Sequence, residues 1–476
     1  MRVMFCSSEV FPFSKTGGLA DMAAFLPKAM HKMGHEIKII TPYYPSVAKY
    51  HQQMKYLGEA NIIMGGIETK VHYFELIHDE ISIIFVQNMH YFERPMLYGY
   101  GDDAERFACF SFAVLESLRI IDFYPELLHL NDWQTGIVPY LLDEHYRHLN
   151  NRYFTIHTLL TIHNLQYQGV FDPYVSRFFN YEFDYTTVHF GSINFLKTGI
   201  EKATKINTVS PTYRNEILTQ EYGFTLDGAL SKRQSDLSGI LNGIDEHVFN
   251  SKTDPTLYRN YGLQDVTIGK AVNKEAVLRD FDLPVDLKRP LVSYIGRLAT
   301  QKGIELMIPI LEEVIEHSNA YFILMGTGQP EYEEFFYHLK LKFPMRVAVF
   351  TSFDEKKAHQ LYAASDLFMM PSRFEPCGLG QMIAMKYGAL PIVRETGGLI
   401  DTVIPYNKFT GEGTGFTFSN YDAYDLKEGL FAAIKLFDED QSAWKKLVKQ
   451  AMKQDFGLKK MALEYHELYQ TIGGKK

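Results

Sequence analysis

Two stretches of this chain carry a pattern suited to anions: Lys15-Thr16-Gly17-Gly18-Leu19 near the start and Glu395-Thr396-Gly397-Gly398-Leu399 near the end. Each reads as a loop running into a helix. A helix start points unpaired backbone N–H groups and the positive end of its dipole at whatever lies in front of it, which favours phosphate or carboxylate. Downstream, Gly296-Arg297-Leu298 and Gln301-Lys302-Gly303 set two cations beside one another beyond an apolar run. A planar guanidinium and a point-charge ammonium so placed fit a diphosphate gripped from two sides, although a surface pair at a helix cap fits them as well. Glu375, in Ser372-Arg373-Phe374-Glu375-Pro376-Cys377-Gly378, is a carboxylate in a loop before a helix, where it serves either as an acceptor for sugar hydroxyls or as a cap. His163 ends an apolar run and has a satisfied core histidine as its plainer explanation; Asp21 and Asp132 have the same structural alternative. No metal-spaced His/Cys cluster is evident, so cations rather than a divalent metal would neutralise a leaving diphosphate. Two glycine-rich sites point to two similar α/β lobes around a shared anionic ligand, and a charged sugar donor fits that geometry.

The elements needed to position these groups are visible as short apolar runs alternating with helical patterns. Val3–Cys6, Glu36–Ile40, Ile81–Val86, Leu127–Leu130, Leu159–Ile162, Ile206–Val209 and Gly239–Leu241 form a first series; Leu291–Ile295, Tyr321–Met325, Val347–Phe350, Leu367–Met370 and Leu390–Val393 form a second. Nearly continuous apolar strands indicate parallel sheets covered on both faces. The first helix, over Leu19–Met33, places Leu19, Met22, Ala23, Leu26, Met30 and Met33 on one face and stops at Gly34, with Pro27 expected to kink it or break its bonding. Helices are also expected over Ile304–Glu316, Leu379–Tyr387 and Asp455–Ile472. The polar residues that follow the strands cluster beyond their carboxyl ends, which is where open α/β sheets bind ligands. The expected architecture is α/β, two Rossmann-like lobes facing a central cleft: residues 1–245, residues 246–455, and a C-terminal helix over 456–476 crossing back to the first lobe.

Composition agrees with two large domains in 476 residues, 46% hydrophobic and 22% charged. No apolar run reaches the ~18 residues of a membrane span, and the apolar start ends at Ser7-Ser8-Glu9, so a first strand is expected there rather than a signal peptide. A formal charge of −9 argues against a general nucleic-acid surface. Cys6, Cys109 and Cys377 have neither disulfide nor metal spacing, which fits a reducing, cytoplasmic setting.

Six motifs taken in order resemble the bacterial and plant starch/glycogen synthases, retaining glucosyltransferases of the GT-B type, along the whole chain. They are Lys15–Asp21, Thr161–Gly169, Ile240–Asp245, Gly296–Leu298 with Gln301–Gly303, Pro371–Leu379, and Thr396–Leu399 with Asp401–Val403. The resemblance implies transfer of glucose from ADP-glucose, a substrate and not a cofactor, to the non-reducing 4-OH of an α-1,4-glucan. It implies that Lys15 and the amides of Gly17 and Gly18 contact the donor, that Arg297 and Lys302 hold its diphosphate, and that His163 sits by the transferred glucose. Glu375 matches the family's essential glutamate. Asp21, Tyr98, Asp132 and Asn242, with Cys377, Gly378 and Leu379, are implied in binding donor, sugar or acceptor. Asn131 stands where many relatives have His, and Gly380 where some have Thr. An α-glucan phosphorylase and a catalytically silent glucan-binding protein are the alternatives; intact Lys15, Arg297, Lys302 and Glu375 weigh against the second.

Overall fold

The computed structural model describes residues 1–179 and 187–474, so the last two residues of the C-terminal segment lie outside it. The chain forms two compact units, Met1–Ile240 with Leu458–Lys476, and Leu241–Gly457.

The first unit is built on a nine-stranded sheet. Its strands run in the order Leu237–Gly239, Lys205–Thr208, His157–Ile162, Leu127–Asn131, Arg2–Cys6, Glu36–Pro42, Ile81–Gln87, Ile67–His78 and Lys55–Met64. The first seven are parallel, and the last two pair antiparallel at one edge. Central strands are apolar on both faces because both faces are covered: Val3, Met4, Phe5 and Cys6 are all buried. The edge hairpin was not anticipated from the apolar runs. Its strands alternate buried and exposed positions, and its turn is Gly65-Gly66, both at positive φ, as a two-residue turn matching strand twist requires.

The helix Gly18–Lys32 continues through Pro27, with the backbone hydrogen bond at that position lost as expected. Proline removes the N–H that would reach the Ala23 carbonyl, but Ala23, Leu26, Pro27 and Met30 are buried together, and core packing holds the helix across the missing bond. Gly34, at φ 90°, then closes it, donating its N–H to His31 O while His35 N reaches Met30 O. The C-terminal helix Leu458–Ile472 joins the same core through Met461, Ala462, Tyr465, Tyr469 and Ile472. Three long-range bonds fix it: Asn207 Nδ2 donates to Tyr465 Oη at 2.9 Å, Tyr469 Oη pairs with His129 Nδ1 at 2.7 Å, and His466 Nδ1 pairs with His35 Nε2 at 2.9 Å.

The second unit has six parallel strands in the order Val347–Phe350, Tyr321–Met325, Leu291–Ile295, Leu367–Met370, Leu390–Arg394 and Phe416–Phe418. The helix expected over Ile304–Glu316 is two pieces, Ile304–Met307 and Leu311–His317. Pro309 lies between them; its ring and missing N–H end the first turn, while Ile304, Met307, Leu311 and Ile315 still face the core.

In both sheets the chain starts near the middle, builds one side, and returns to build the other. The direction reverses between Arg2–Cys6 and Leu127–Asn131 in the first unit and between Leu291–Ile295 and Leu367–Met370 in the second. Crevices beyond the carboxyl ends of such strand pairs are the natural ligand positions of open α/β sheets.

Candidate functional site

At the switch point of the first unit, Ser7-Ser8-Glu9 follows the strand Arg2–Cys6. Glu9 is 3% exposed, and its carboxylate accepts from the Thr16 N–H, from Thr16 Oγ1 at 2.9 Å, from the Gly17 N–H at 3.4 Å and from Tyr98 Oη at 3.1 Å. The protein's own carboxylate therefore takes the Gly17 amide of the glycine-rich loop. Burial pushes the Glu9 carboxyl up, against the pull of those four donors. Tyr98 Oη also lies 2.7 Å from Ser8 Oγ, so the phenol is fixed through its hydroxyl. Lys15 Nζ sits 2.7 Å from Asp21 Oδ1 and over the Phe11 ring, half exposed at the loop's outer side.

On the adjacent strand end, Asp132 at φ 55° turns its Oδ1 to the His163 N–H at 2.7 Å and also accepts from the Asn164 amide. Burial raises its carboxyl to about 7, and those two amides limit the rise. Asn131 Nδ2 donates to Cys6 O at 2.9 Å, which orients the amide so that its Oδ1 accepts from His163 Nε2 at 2.9 Å. Burial lowers the His163 pKa to about 3, so the ring is neutral, protonated on Nε2, and leaves Nδ1 as an acceptor. Asn131, one of the two departures from the motif, thus acts as the residue that sets the tautomer.

The second unit assembles its own group. Lys302 Nζ lies 2.6 Å from Glu375 Oε2, which also accepts from Ser372 Oγ at 2.9 Å. Gly303, at φ 72°, makes this approach possible: a Cβ there would stand 1.9 Å from Pro371 O. Arg297 is anchored by its backbone, whose carbonyl accepts from Tyr294 Oη at 2.7 Å, while its Nη2 reaches Gln301 Oε1 at 3.2 Å on the exposed side. Leu298 and Gly328 join main chain to main chain, and a Cβ on Gly326 or Gly328 would collide with Gly296 O or Leu298 O. Arg394 Nε donates to Ser372 O at 3.0 Å and so braces the Glu375 loop from behind.

The second glycine pair packs against the Glu375 loop. Gly398 N–H donates to the Glu375 carbonyl at 3.1 Å, and a Cβ on Gly398 would stand 2.2 Å from Cys377 O. The Gly398 amide of this loop is thus taken by the Glu375 segment, against which it packs closely. Asn242 is buried, with its Oδ1 unpartnered among the described residues and its backbone N–H directed at the Cys377 sulfur. Burial pushes the Cys377 thiol up to about 12, which makes it a packing residue and not a nucleophile. Gly378, at φ 71°, and Leu379 lead into the helix Gly380–Lys386. At Gly380, the other departure, a Cβ would press on Phe368 at 3.1 Å and Tyr362 Oη at 3.3 Å, so glycine suits this packing.

The candidate residues thus gather into two groups, one in each unit: Lys15, Gly17, Gly18, Asp21, Tyr98, Asp132 and His163 in the first, and Asn242, Arg297, Lys302, Glu375, Cys377, Gly378 and Leu379 in the second. Sequence reasoning gave no role to Glu9, Ser372 or Arg394. A glutamate directly after the first apolar strand was the available signal for Glu9.

Residues 2–232 match the family described as the starch synthase catalytic domain, and residues 279–453 match glycosyl transferases group 1. Over the full length of both chains the protein is 63% identical to a glycogen synthase of Acholeplasma laidlawii. It is 41% identical to one of Bacillus subtilis, across 99% of this chain and 98% of the relative. Among solved structures, the catalytic domain of starch synthase IV from Arabidopsis thaliana, bound to ADP and acarbose, superposes with a TM-score of 0.91 at 32% identity, covering 99% of each chain. A sucrose-phosphate synthase of Thermosynechococcus elongatus shares the fold, with a TM-score of 0.62 at 18% identity over the whole of both chains.

Proposed function

The chain belongs to the starch and glycogen synthase family of GT-B glycosyltransferases, and from that premise we propose how its residues divide the work of a glycogen synthase. The reaction moves glucose from ADP-glucose to the non-reducing 4-OH of an α-1,4-glucan with retention of configuration. The bond between the anomeric carbon and the diphosphate oxygen breaks, its electrons leave with ADP, and the acceptor oxygen bonds to the same carbon from the same face. The proton of the 4-OH passes to the departing phosphate oxygen.

Charge develops on the diphosphate as the bond breaks, and preorganised cations aimed there lower the barrier. Arg297 contributes a fork and Lys302 a point charge. Glu375 holds Lys302 at 2.6 Å through Oε2, while its Oε1 takes no hydrogen bond from the described residues and is available to a sugar hydroxyl. Asn242 Oδ1, buried and unpartnered, is a second acceptor for a hydroxyl. In the first unit, Lys15 and the Gly18 amide serve the donor, Tyr98 and Asp132 order the crevice, and neutral His163 offers Nδ1 to the transferred sugar. The observation that carries this assignment is the 2.6 Å contact of Lys302 with Glu375, beside the Arg297 loop, at the switch point of a six-stranded parallel sheet.

Among the described residues no group of three or more His, Cys, Asp and Glu is placed to hold a metal ion. With the diphosphate charge met by Arg297 and Lys302, activity is expected to persist in EDTA; loss on chelation, restored by magnesium or manganese, would contradict the cation-only account. A cytoplasmic location fits the three buried, free cysteines, and no helix among the described residues is long and apolar enough to cross a membrane. The direct test supplies ADP-glucose or UDP-glucose with glycogen and follows nucleotide release and the anomeric NMR signal of the new linkage. Transfer from ADP-glucose with an α-1,4 product is expected; absence of transfer from either donor would refute the assignment.

A further inference from the structure

One surface of the second unit takes no part in the chemistry above. In the helix Gln441–Met452, Trp444, Leu447, Val448, Ala451 and Met452 are buried, while Lys445, Lys446, Lys449 and the C-capping Lys453 are exposed. At ~3.6 residues per turn these four lysines fall within an arc of about 100° and run about 12 Å along the axis. The loop over residues 407–413 is tied to the same helix. Gln450 Nε2 donates to Gly411 O at 3.2 Å, the Gly413 N–H returns to Gln450 Oε1 at 2.9 Å, and Lys446 Nζ donates to Thr410 O at 3.3 Å. The loop holds out Phe409, 88% exposed, beside Lys408, and Asn407 Oδ1 accepts the Phe409 N–H at 2.9 Å.

A lysine face alone is an ordinary solvated helix surface; two observations set this one apart. Lys386, Lys427 and Lys435 of the same unit each pair with a glutamate, whereas Lys408, Lys445, Lys446, Lys449 and Lys453 form no ion pair with a carboxylate among the described residues. Acids nearby along the chain include Glu412 on the loop and Asp440 and Asp455 beyond the helix ends; the two aspartates accept from the backbone N–H groups of Ser442, Ala443 and Gly457. The charge left over is positive in a chain whose formal total is −9, and because salt screens exposed charges beyond ~8–10 Å, the patch and not the total decides what approaches it. The second observation is Phe409, an aromatic ring displayed to water on a loop bonded to the lysine helix. Point-charge cations around a displayed ring, with no arginine fork among them, suit a flat anionic surface that has an apolar layer beneath its charges.

We propose that this face docks the protein on an anionic phospholipid bilayer, with the four helix lysines and Lys408 over the headgroups and Phe409 inserted below them. Docking requires neither sugar donor nor glucan, so it stands or falls apart from glucosyl transfer. Each lysine at such a surface contributes about fivefold in partitioning and the buried ring about tenfold, which gives reversible attachment rather than permanent anchoring.

The test mixes the intact chain with sucrose-loaded vesicles of phosphatidylcholine, or of phosphatidylcholine with phosphatidylglycerol, and measures the fraction of protein that sediments with them. Binding to the mixed vesicles and not to phosphatidylcholine is expected, and it weakens as salt rises. The triple substitution Lys445→Gln, Lys449→Gln and Lys453→Gln is expected to weaken binding about a hundredfold, and Phe409→Ser about tenfold with the salt dependence kept. All four positions are exposed, and an unchanged thermal melt checks that both variants are folded. Equal binding to phosphatidylcholine, binding to neither vesicle, or binding that survives the triple substitution would overturn the proposal. A Phe409→Ser variant that binds as the wild type does would refute insertion of the ring. Nucleic acid is measured in parallel: binding to it that needs the three lysines, without binding to vesicles, would overturn the proposal and assign the stripe to a polynucleotide.

Discussion

Replacing Glu375 by glutamine separates electrostatics from shape. The side chain keeps its size and an oxygen that still accepts from Ser372, but Lys302 loses the carboxylate 2.6 Å away. The Glu375 side chain is 7% exposed and that of Lys302 is 21% exposed, so the ammonium can recover water when its partner is neutralised. Breaking a fully buried pair costs about 3–5 kcal/mol and an exposed one about 0–1 kcal/mol, which puts the folding cost here at about 1–2 kcal/mol. That corresponds to a drop of about 2–8 °C in thermal midpoint for a domain of this class of size. The transition state loses more. Removing one preorganised group that acts on developing charge costs about 2.7–4 kcal/mol, or about 10²–10³ in turnover. The assay is ADP release from ADP-glucose with glycogen, run beside a calorimetric melt. A variant that keeps more than about a tenth of wild-type turnover while its midpoint falls would show that the carboxylate only braces the loop, and the assignment of Glu375 to the reaction would be wrong.

Arg297→Lys keeps the charge but loses the fork, and kcat/KM is expected to fall by about 2–4 kcal/mol of transition-state stabilisation; near-normal kinetics would place Arg297 on a passive surface. Gly303→Ala forces a Cβ to within 1.9 Å of Pro371 O at φ 72°, so the Lys302 and Glu375 loops must separate; activity is expected to fall far more than for the neighbouring change Thr300→Ala, and an active, normally stable variant would refute the close-approach argument. Burial lowers His35 to about 4 and His129 and His163 to about 3, so these three are neutral in the folded protein and take up protons on unfolding below their ordinary pKa of 6.5. Their contribution to stability is complete above about pH 6.5 and is lost as pH falls toward 4 and 3; Asp132, raised to about 7, and Glu9, also raised by burial, act in the opposite direction. The denaturant midpoint is therefore expected to fall between pH 7 and 4.5, less steeply for His35→Gln, and a flat profile would contradict the neutral-histidine account.

The amino-acid sequence by itself determined most of the parallel strands, though not the edge hairpin or Phe416–Phe418, because a strand covered on two faces must be apolar along its length, and Val347–Phe350 or Leu367–Met370 needs no distant information to be recognised. It also marked the polar motifs Gly296–Gly303 and Ser372–Gly378, which directly follow two of those strands. Two features were present but unread: Gly65-Gly66 between alternating segments, and Pro309 inside an apolar helical pattern. Tertiary structure decided which groups meet. Lys302 and Glu375 are 73 positions apart, and His129 and Tyr469 are 340 apart; each pair forms because sheet order brings particular strand ends and one late helix together. The same holds for Glu9, which along the chain is a polar residue after a strand and in the fold is the carboxylate that occupies the glycine loop. It holds again for Gly397-Gly398, whose sequence matches an anion site while its amide is already bonded to the Glu375 carbonyl. A backbone N–H has one strong partner, and only the packed structure determines whether that partner is ligand or protein.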